Sequence, residues 1–155
     1  MSGVEELYRE IILDHYRNPR QQGELPAPAL KVEGVNPLCG DQLVLYLNSN
    51  GNEVDDVRIV SSGCSISVAS ASMMAEAIKG KSVPEVESII SQFKELMLQK
   101  NGTSIDPEKL GDLEALQGVK KYPVRIKCAL LSWNTLLEAL KSLKSRKQAE
   151  KVVME

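Results

Sequence analysis

The sequence predicts an α+β fold, in which a small antiparallel sheet of about three strands is covered on one face by helices. Two stretches of strand-forming residues around an Asn-Gly turn predict a β-hairpin over residues 42–60. Helical apolar periodicity precedes this hairpin and returns after it, as expected for helices that pack on one sheet. The chain has 155 residues, a length that suits one domain. We therefore expect a single domain over residues 1–155, with an insertion at about 99–118.

The first predicted element is an amphipathic helix that ends before Pro19. Apolar side chains recur at positions 4, 7, 8, 11 and 12, and His15 continues the same helical face. Asn18-Pro19 ends the pattern because proline disfavours the helical conformation in the residue before it. Glycine and prolines in residues 20–28 then predict an extended loop.

Three strands are predicted after this loop. Residues 29–34 alternate weakly and predict a short strand. The apolar run at 42–48 predicts a strand that lies at the sheet centre or is buried on both faces. Asn50-Gly51 is a turn sequence, and residues 54–60 form the return strand. This pairing brings Asp41 and residues 61–63 to the same end of the sheet.

Helices are predicted for most of the remaining chain. Small and apolar residues at 65–78 predict a helix that packs closely on the sheet, ending at Gly80. Ser82 and Glu85 form a capping box for a helix that continues to residue 97. Residues 99–118 are less regular and predict one or two short helical turns. Tyr122-Pro123 opens the longest helix, whose basic C-terminal end is favourable for the helix dipole.

The composition excludes several classes of protein. The formal net charge is −2, which argues against a nucleic-acid binder that neutralises many phosphates. No uncharged apolar run approaches the roughly 20 residues that span a bilayer. The first ten residues lack the features of a secretory signal, so we expect a cytoplasmic protein with no membrane partner. The chain has three cysteines, an odd number that makes a disulfide scaffold a poor interpretation.

The three cysteines lie at predicted boundaries between elements, and they form a candidate metal site with one carboxylate. The hairpin can bring Cys39, Asp41 and Cys64 together, and Cys128 joins them if the last helix packs its N-terminal end on that edge. Three thiols and a carboxylate complete the tetrahedron that Zn²⁺ prefers. Arg125 and Lys127 flank Cys128 and would offset the excess negative charge. A lone cysteine is most often a small buried apolar residue, and this interpretation is favoured for Cys64 or Cys128 taken singly.

The remaining candidate residues favour packing over chemistry. His15 is the only histidine, and a core or edge role is favoured over metal ligation. Its singularity excludes a Cys₂His₂ finger or a multi-histidine catalytic zinc within this chain. Trp133 and the Met73-Met74 pair fit helix packing better than a cofactor role.

Four stretches of the sequence together resemble a known family. The chain resembles the U-type iron–sulfur cluster assembly proteins, in particular the SufU branch of the IscU-like fold. The matching stretches, in chain order, are Asp14-His-Tyr-Arg-Asn-Pro19, Asn36-Pro-Leu-Cys-Gly-Asp41, Ser62-Gly-Cys64-Ser65 and Arg125-Ile-Lys-Cys-Ala-Leu-Leu-Ser-Trp133.

The resemblance implies a zinc ion held by Cys39, Asp41, Cys64 and Cys128. It implies a partner, a pyridoxal-phosphate-dependent cysteine desulfurase of the SufS type, which inserts a histidine as a replacement ligand and frees Cys39. The freed Cys39 thiolate then accepts persulfide sulfur and carries it to downstream iron–sulfur assembly proteins. Arg125 is expected to contribute to docking. The expected activity is sulfur acceptance with the desulfurase rather than stand-alone catalysis.

Two alternatives stay open at this point. The scaffold branch of the resembling family has a histidine immediately before its third cysteine, and this chain has Lys127 there, as the SufU branch does. A scaffold that assembles an iron–sulfur cluster on the same ligands, with iron or a cluster bound transiently, is the first alternative. An interaction protein whose zinc is purely structural is the second.

Overall fold

The computed structural model describes residues 3–98, 110–145 and 151–154, and these residues form an α+β fold. The predicted hairpin is present and extends into a sheet that carries the helices on one face. The strands are β1 (Leu30–Asn36), β2 (Asp41–Ser49), β3 (Val54–Ser62) and β4 (Val152–Val153). The helices are α1 (Gly3–Arg17), α2 (Ser65–Ile78), α3 (Val83–Leu98), a 3₁₀ helix (Gly111–Lys121) and α4 (Pro123–Ser145).

The sheet has the strand order β3-β2-β1-β4, so β2 is central, as its apolar run predicts. Both β1 and β3 pair with β2 in antiparallel orientation. The fourth strand differs from the prediction of about three antiparallel strands, because β4 pairs with β1 in parallel and makes the sheet mixed. This strand has only two residues, which is too short to leave a periodic signal in the sequence.

Strand β1 also runs further than predicted and ends at Asn36 rather than at residue 34. The extension matters for the site because it pairs Asn36 directly with Asp41, the first residue of β2. Alternate residues of β2 are buried against the helices, and Leu43, Leu45 and Leu47 are each at most 2% exposed. The sheet thus presents its inner face to the core.

Helices α2 and α4 cover that inner face. The predicted small-residue helix is confirmed as α2, in which Met73 and Met74 are buried core residues. In α4 the buried Trp133 stacks on Phe93 of α3 with ring centroids 4.5 Å apart. The packing interpretation of these residues is therefore confirmed. No helix in the described ranges combines the length and the apolar character needed to cross a membrane.

The predicted insertion is only partly visible. Residues 99–109 lie outside the described residues, and the rest of the predicted insertion belongs to the 3₁₀ helix. This 3₁₀ helix is 11 residues long, more than the one or two turns predicted. Its Leu113 and Leu116 are fully buried and anchor it to the core.

His15 connects α1 to two other elements. It is fully buried; its Nδ1 lies 2.8 Å from Ser72 Oγ and its Nε2 lies 3.0 Å from Asp112 Oδ2. The carboxylate of Glu76 completes a group of metal-ligand atoms within 4.8 Å. Arg20 pairs with Glu76 at 3.5 Å, however, and both ring nitrogens of His15 already have partners. We interpret His15 as a structural residue, in agreement with the predicted core role.

Candidate metal centre

The candidate site lies at the sheet edge where β1 ends, β2 begins and β3 ends. Cys39 lies in the loop between β1 and β2, and Asp41 is the first residue of β2. Cys64 directly follows β3 and is the N-cap residue of α2. Cys128 is on the first turns of α4, which packs against β1. The hairpin thus places Cys39, Asp41 and Cys64 at one edge of the sheet, and the packing of α4 brings Cys128 to the same edge.

Three of the four candidate ligands form a compact group. The ligand atoms of Cys39, Asp41 and Cys128 all lie within 4.8 Å of one another. The Cys39 and Cys128 sulfurs are 3.2 Å apart, and all three cysteines are free. Cys64 is not part of this 4.8 Å group, but its backbone N–H donates a hydrogen bond to Asp41 Oδ1 at 2.9 Å.

The donor set fits zinc. Thiolate sulfur and carboxylate oxygen are both accepted zinc ligands. Two sulfurs that each lie about 2.3 Å from a tetrahedral ion are about 3.8 Å apart. The 3.2 Å separation of the Cys39 and Cys128 sulfurs therefore needs only a small expansion to admit the ion.

Gly63 provides the space for the Asp41 carboxylate. Its φ is +132°, a conformation that side-chain-bearing residues rarely adopt. A Cβ at this position would lie 2.8 Å from Asp41 Cα and closer still to Asp41 Oδ1. The glycine therefore allows β3 to pass beside β2 while the next residue, Cys64, hydrogen-bonds to Asp41.

Asn36 is a site residue to which the sequence analysis assigned no role. It is fully buried, and its Nδ2 lies 3.2 Å from Asp41 Oδ2 and 3.5 Å from Cys128 Sγ. Its backbone carbonyl accepts a hydrogen bond from the Cys39 N–H at 3.3 Å. Its place in the Asn36–Asp41 motif is the one feature of the sequence that could have indicated a role at the site. The direction of its side chain, however, depends on the pairing of Asn36 with Asp41 at the extended end of β1.

The surroundings of Cys128 oppose ionisation of its thiol. Burial raises the pKa of the Cys128 thiol, and its contacts with Cys39, Asp41 and Cys64 raise it further. The pKa of Arg125 is raised by its hydrogen bond to Cys128 and by the nearby charges of Cys64, Cys128 and Cys39. A bound cation would favour the thiolate form of Cys128.

The two basic residues predicted at the site are differently placed. Arg125 Nη1 lies 4.0 Å from Cys39 Sγ and its side chain is exposed. Lys127 is half-buried and directly precedes Cys128. Arg125 thus places a positive charge beside the Cys39 sulfur.

An apolar cleft opens beside Cys39. It has a volume of about 700 Å³ and lies between the start of α2, the end of the 3₁₀ helix and the start of α4. Exposed apolar side chains surround the site, including Leu38 at 64% and Tyr122 at 62% exposure. Its lining residues include Cys39, Ile66, Val119, Tyr122, Val124 and Arg125. Cys39 is therefore the candidate ligand that a partner can approach from this side.

Replacing Gly63 with alanine is expected to strain the backbone and, in addition, to displace the Asp41 carboxylate from the metal site. Strain at such a φ costs about 1–3 kcal/mol, and the added Cβ also displaces Asp41. Gly23→Ala is the matched control, because Gly23 has a φ of +124° but open space around its Cβ position. We expect both variants to lose stability in urea unfolding, and only Gly63→Ala to lose zinc affinity in chelator competition. Equal zinc affinity in the two variants would contradict the contact with Asp41.

Comparisons with known proteins give a consistent result. A family model described as the NifU-like N-terminal domain matches residues 7–129. The zinc-dependent sulfurtransferase SufU of Bacillus subtilis (strain 168) is 48% identical over 136 residues, covering 87% of this chain and 90% of that protein. The iron–sulfur cluster assembly scaffold protein IscU of Thermotoga maritima is 38% identical over 137 residues, covering 88% and 94%.

Solved structures with similar folds agree with these relatives. A crystal structure of a scaffold protein for the SUF system from Fervidobacterium islandicum superposes with a TM-score of 0.77 at 35% identity, covering 87% of this chain and 97% of that one. The N-terminal part of a nitrogen-fixing NifU-like protein from Brucella abortus has a TM-score of 0.79, covering 94% and 99%. At 20% identity, the second likeness is evidence of the fold alone.

Proposed function

Because this chain belongs to the family of NifU-like N-terminal domains, we propose that it is a zinc-dependent sulfur acceptor and transfer protein in iron–sulfur cluster biogenesis. The observation that carries this proposal is the compact group formed by Cys39, Asp41 and Cys128, with Cys39 lining an apolar cleft. The 48% identity to a protein named as a zinc-dependent sulfurtransferase supports the same assignment.

In the proposed site, zinc is held by Cys39, Asp41, Cys64 and Cys128. The bound ion would keep the thiols deprotonated and protect them from oxidation and stray reactions. The backbone N–H of Cys64 and the side-chain amide of Asn36 each donate to one oxygen of Asp41 and so orient the carboxylate.

Cys39 is the proposed sulfur carrier. It is half-buried in a loop and lines the cleft, whereas Cys128 is fully buried within a helix and Cys64 caps another helix. The released Cys39 thiolate attacks the outer sulfur of a partner's cysteine persulfide. A new S–S bond forms on Cys39, the partner's S–S bond breaks, and the partner's thiolate leaves. No net oxidation or reduction is required, because one thiol and one persulfide exchange a sulfur atom.

Arg125 supports this step by charge. Its guanidinium lies 4.0 Å from Cys39 Sγ, so it can stabilise the free thiolate before attack and the anionic persulfide after it. Its exposed position also allows it to pair with an acidic group of the partner. We therefore propose a role for Arg125 in docking.

The proposed partner is a pyridoxal-phosphate-dependent cysteine desulfurase of the SufS type, which generates a cysteine persulfide. The cleft beside Cys39 and its exposed apolar rim can receive a protruding loop that carries this persulfide. Downstream iron–sulfur assembly proteins would then take the sulfur. We place this activity in the reducing cytoplasm, where free thiols persist.

A cluster scaffold is the second candidate function. Relatives named as IscU scaffold proteins favour it, including one 37% identical over 144 residues from Streptococcus pyogenes. The same thiols and carboxylate could hold an iron–sulfur cluster or iron transiently. Lys127 favours transfer instead, because its ammonium group cannot serve as the additional ligand that a histidine would provide. A site in which zinc is only structural is the remaining alternative.

The metal content of the purified protein distinguishes the proposed functions. We expect about one zinc ion per chain and no visible absorbance, together with stimulation of a cysteine desulfurase on addition of the protein. A brown protein whose cluster can be transferred to an acceptor would instead establish the scaffold. Stoichiometric zinc without any effect on a desulfurase would favour a structural site.

A further inference from the structure

Asn36 contacts three of the four proposed ligands. Its Nδ2 lies within hydrogen-bond distance of both Asp41 Oδ2 and Cys128 Sγ, and its carbonyl accepts from the Cys39 N–H. The residue ends β1 and faces Asp41 across the antiparallel pair, so its position is fixed by the sheet. We propose that Asn36 is a positioning residue that holds Asp41 and Cys128 as the fixed part of the metal site. This inference rests on the proposed function.

The orientation of the Asn36 amide follows from its partners. A carboxylate oxygen and a cysteine sulfur both face the same amide group, and both accept hydrogen bonds when ionised. With Nδ2 toward them, the amide donates to Asp41 and Cys128. With the amide reversed, its oxygen would face the Asp41 carboxylate oxygen, which is another acceptor. Among the described residues, the buried Oδ1 atom of Asn36 has no hydrogen-bond partner, which is the cost of directing both amide hydrogens to the site.

These hydrogen bonds divide the ligands into two classes. Asp41 receives one N–H donor on each oxygen, from Cys64 and from Asn36. Cys128 receives the other contact of Asn36 and is fully buried. Near the Cys39 sulfur, by contrast, the guanidinium of Arg125 lies 4.0 Å away and is exposed. Asn36 thus stabilises the ligands that stay and leaves Cys39 as the ligand that exchanges.

The test measures zinc affinity by competition with a chromogenic chelator, with no activity assay. Loss of a hydrogen bond to a metal ligand typically lowers metal affinity about 10–100-fold, and we expect this loss in Asn36→Ala. Asn134→Ala is the matched control, because Asn134 lies on α4 and contacts Met154 rather than the site. If Asn36→Ala fails to fold, zinc affinity is measured on Asn36→Ser instead, because serine is small but keeps a polar group in the buried position.

A double-mutant cycle separates positioning from general destabilisation. In a Cys39→Ala background, Asn36→Ala should reduce zinc affinity by the same factor as in the wild type. In an Asp41→Ala background, its effect should shrink because one of its two partners is gone. Two outcomes would overturn the inference about Asn36 and leave the proposed function standing. One is unchanged zinc affinity in a folded Asn36 variant, and the other is an undiminished loss of zinc affinity in the Asp41→Ala background. A wild-type protein without zinc affinity would overturn the proposed function as well.

Discussion

Cys39→Ala is expected to reduce the rate of a cognate cysteine desulfurase to its value without this protein, while the fold is kept. The alanine has no sulfur atom to accept the persulfide sulfur, so the transfer step is lost completely rather than slowed. Cys39 lies in a loop and is outside the hydrophobic core, so its removal leaves no large cavity. The measurements are sulfide release by the desulfurase and thermal unfolding of the variant.

Two further variants make this prediction sharper. Cys39→Ser keeps the size of the side chain but supplies a hydroxyl, which cannot carry a persulfide, and it should be as inactive as Cys39→Ala. Leu38→Ala removes the neighbouring exposed side chain without touching the sulfur, and it should still form a persulfide. Mass spectrometry after reaction should find one added sulfur atom on Cys39. Full stimulation by Cys39→Ala would exclude Cys39 as the carrier.

The same variant bears on the alternative functions. A structural zinc site predicts that Cys39→Ala mainly lowers stability, because a ligand to a fold-stabilising ion is lost. Sulfur transfer predicts a specific loss of stimulation with binding of the desulfurase retained, since the cleft and Arg125 remain. Measuring stability, partner binding and stimulation on one preparation therefore separates the two functions.

The sequence predicts those features of the site that follow from the pairing of neighbouring strands. A hairpin must bring the start of its first strand to the end of its second, so Asp41 and Cys64 meet whatever else the chain does. The strand and helix signals also predict that Cys39 and Cys128 lie at the boundaries of elements. These features need only the period of each element and the turn between them.

The unpredicted parts depend on packing between distant elements. The role of Asn36 requires β1 to extend two residues beyond its apolar pattern, and its polar side chain gives no sign of burial. Strand β4 exists only because a distant segment reaches the edge of β1. The contact of His15 with Asp112 spans 97 positions of sequence. Periodicity carries no information about such partners.

Trp133→Ala is expected to destabilise the protein by about 3–5 kcal/mol, the usual cost of deleting a large aromatic side chain from a core. Trp133 is fully buried and stacks on Phe93. Its indole N–H donates to Ser70 Oγ at 3.1 Å, and the Ser70 hydroxyl donates to the Ala129 carbonyl at 2.7 Å. The measurement is urea unfolding in the presence of a chelator, so that metal binding does not contribute.

This network also couples the core to the site. Ser70 is on α2, the helix that Cys64 caps, and Ala129 directly follows Cys128 on α4. Trp133→Phe keeps an aromatic ring against Phe93 but removes the indole donor and part of the ring volume, so it should cost less than Trp133→Ala. If the network holds the two helices in register, Trp133→Ala should also weaken zinc binding although no proposed ligand is altered. A destabilised variant with wild-type zinc affinity would mean that the sheet edge alone holds the ligands together.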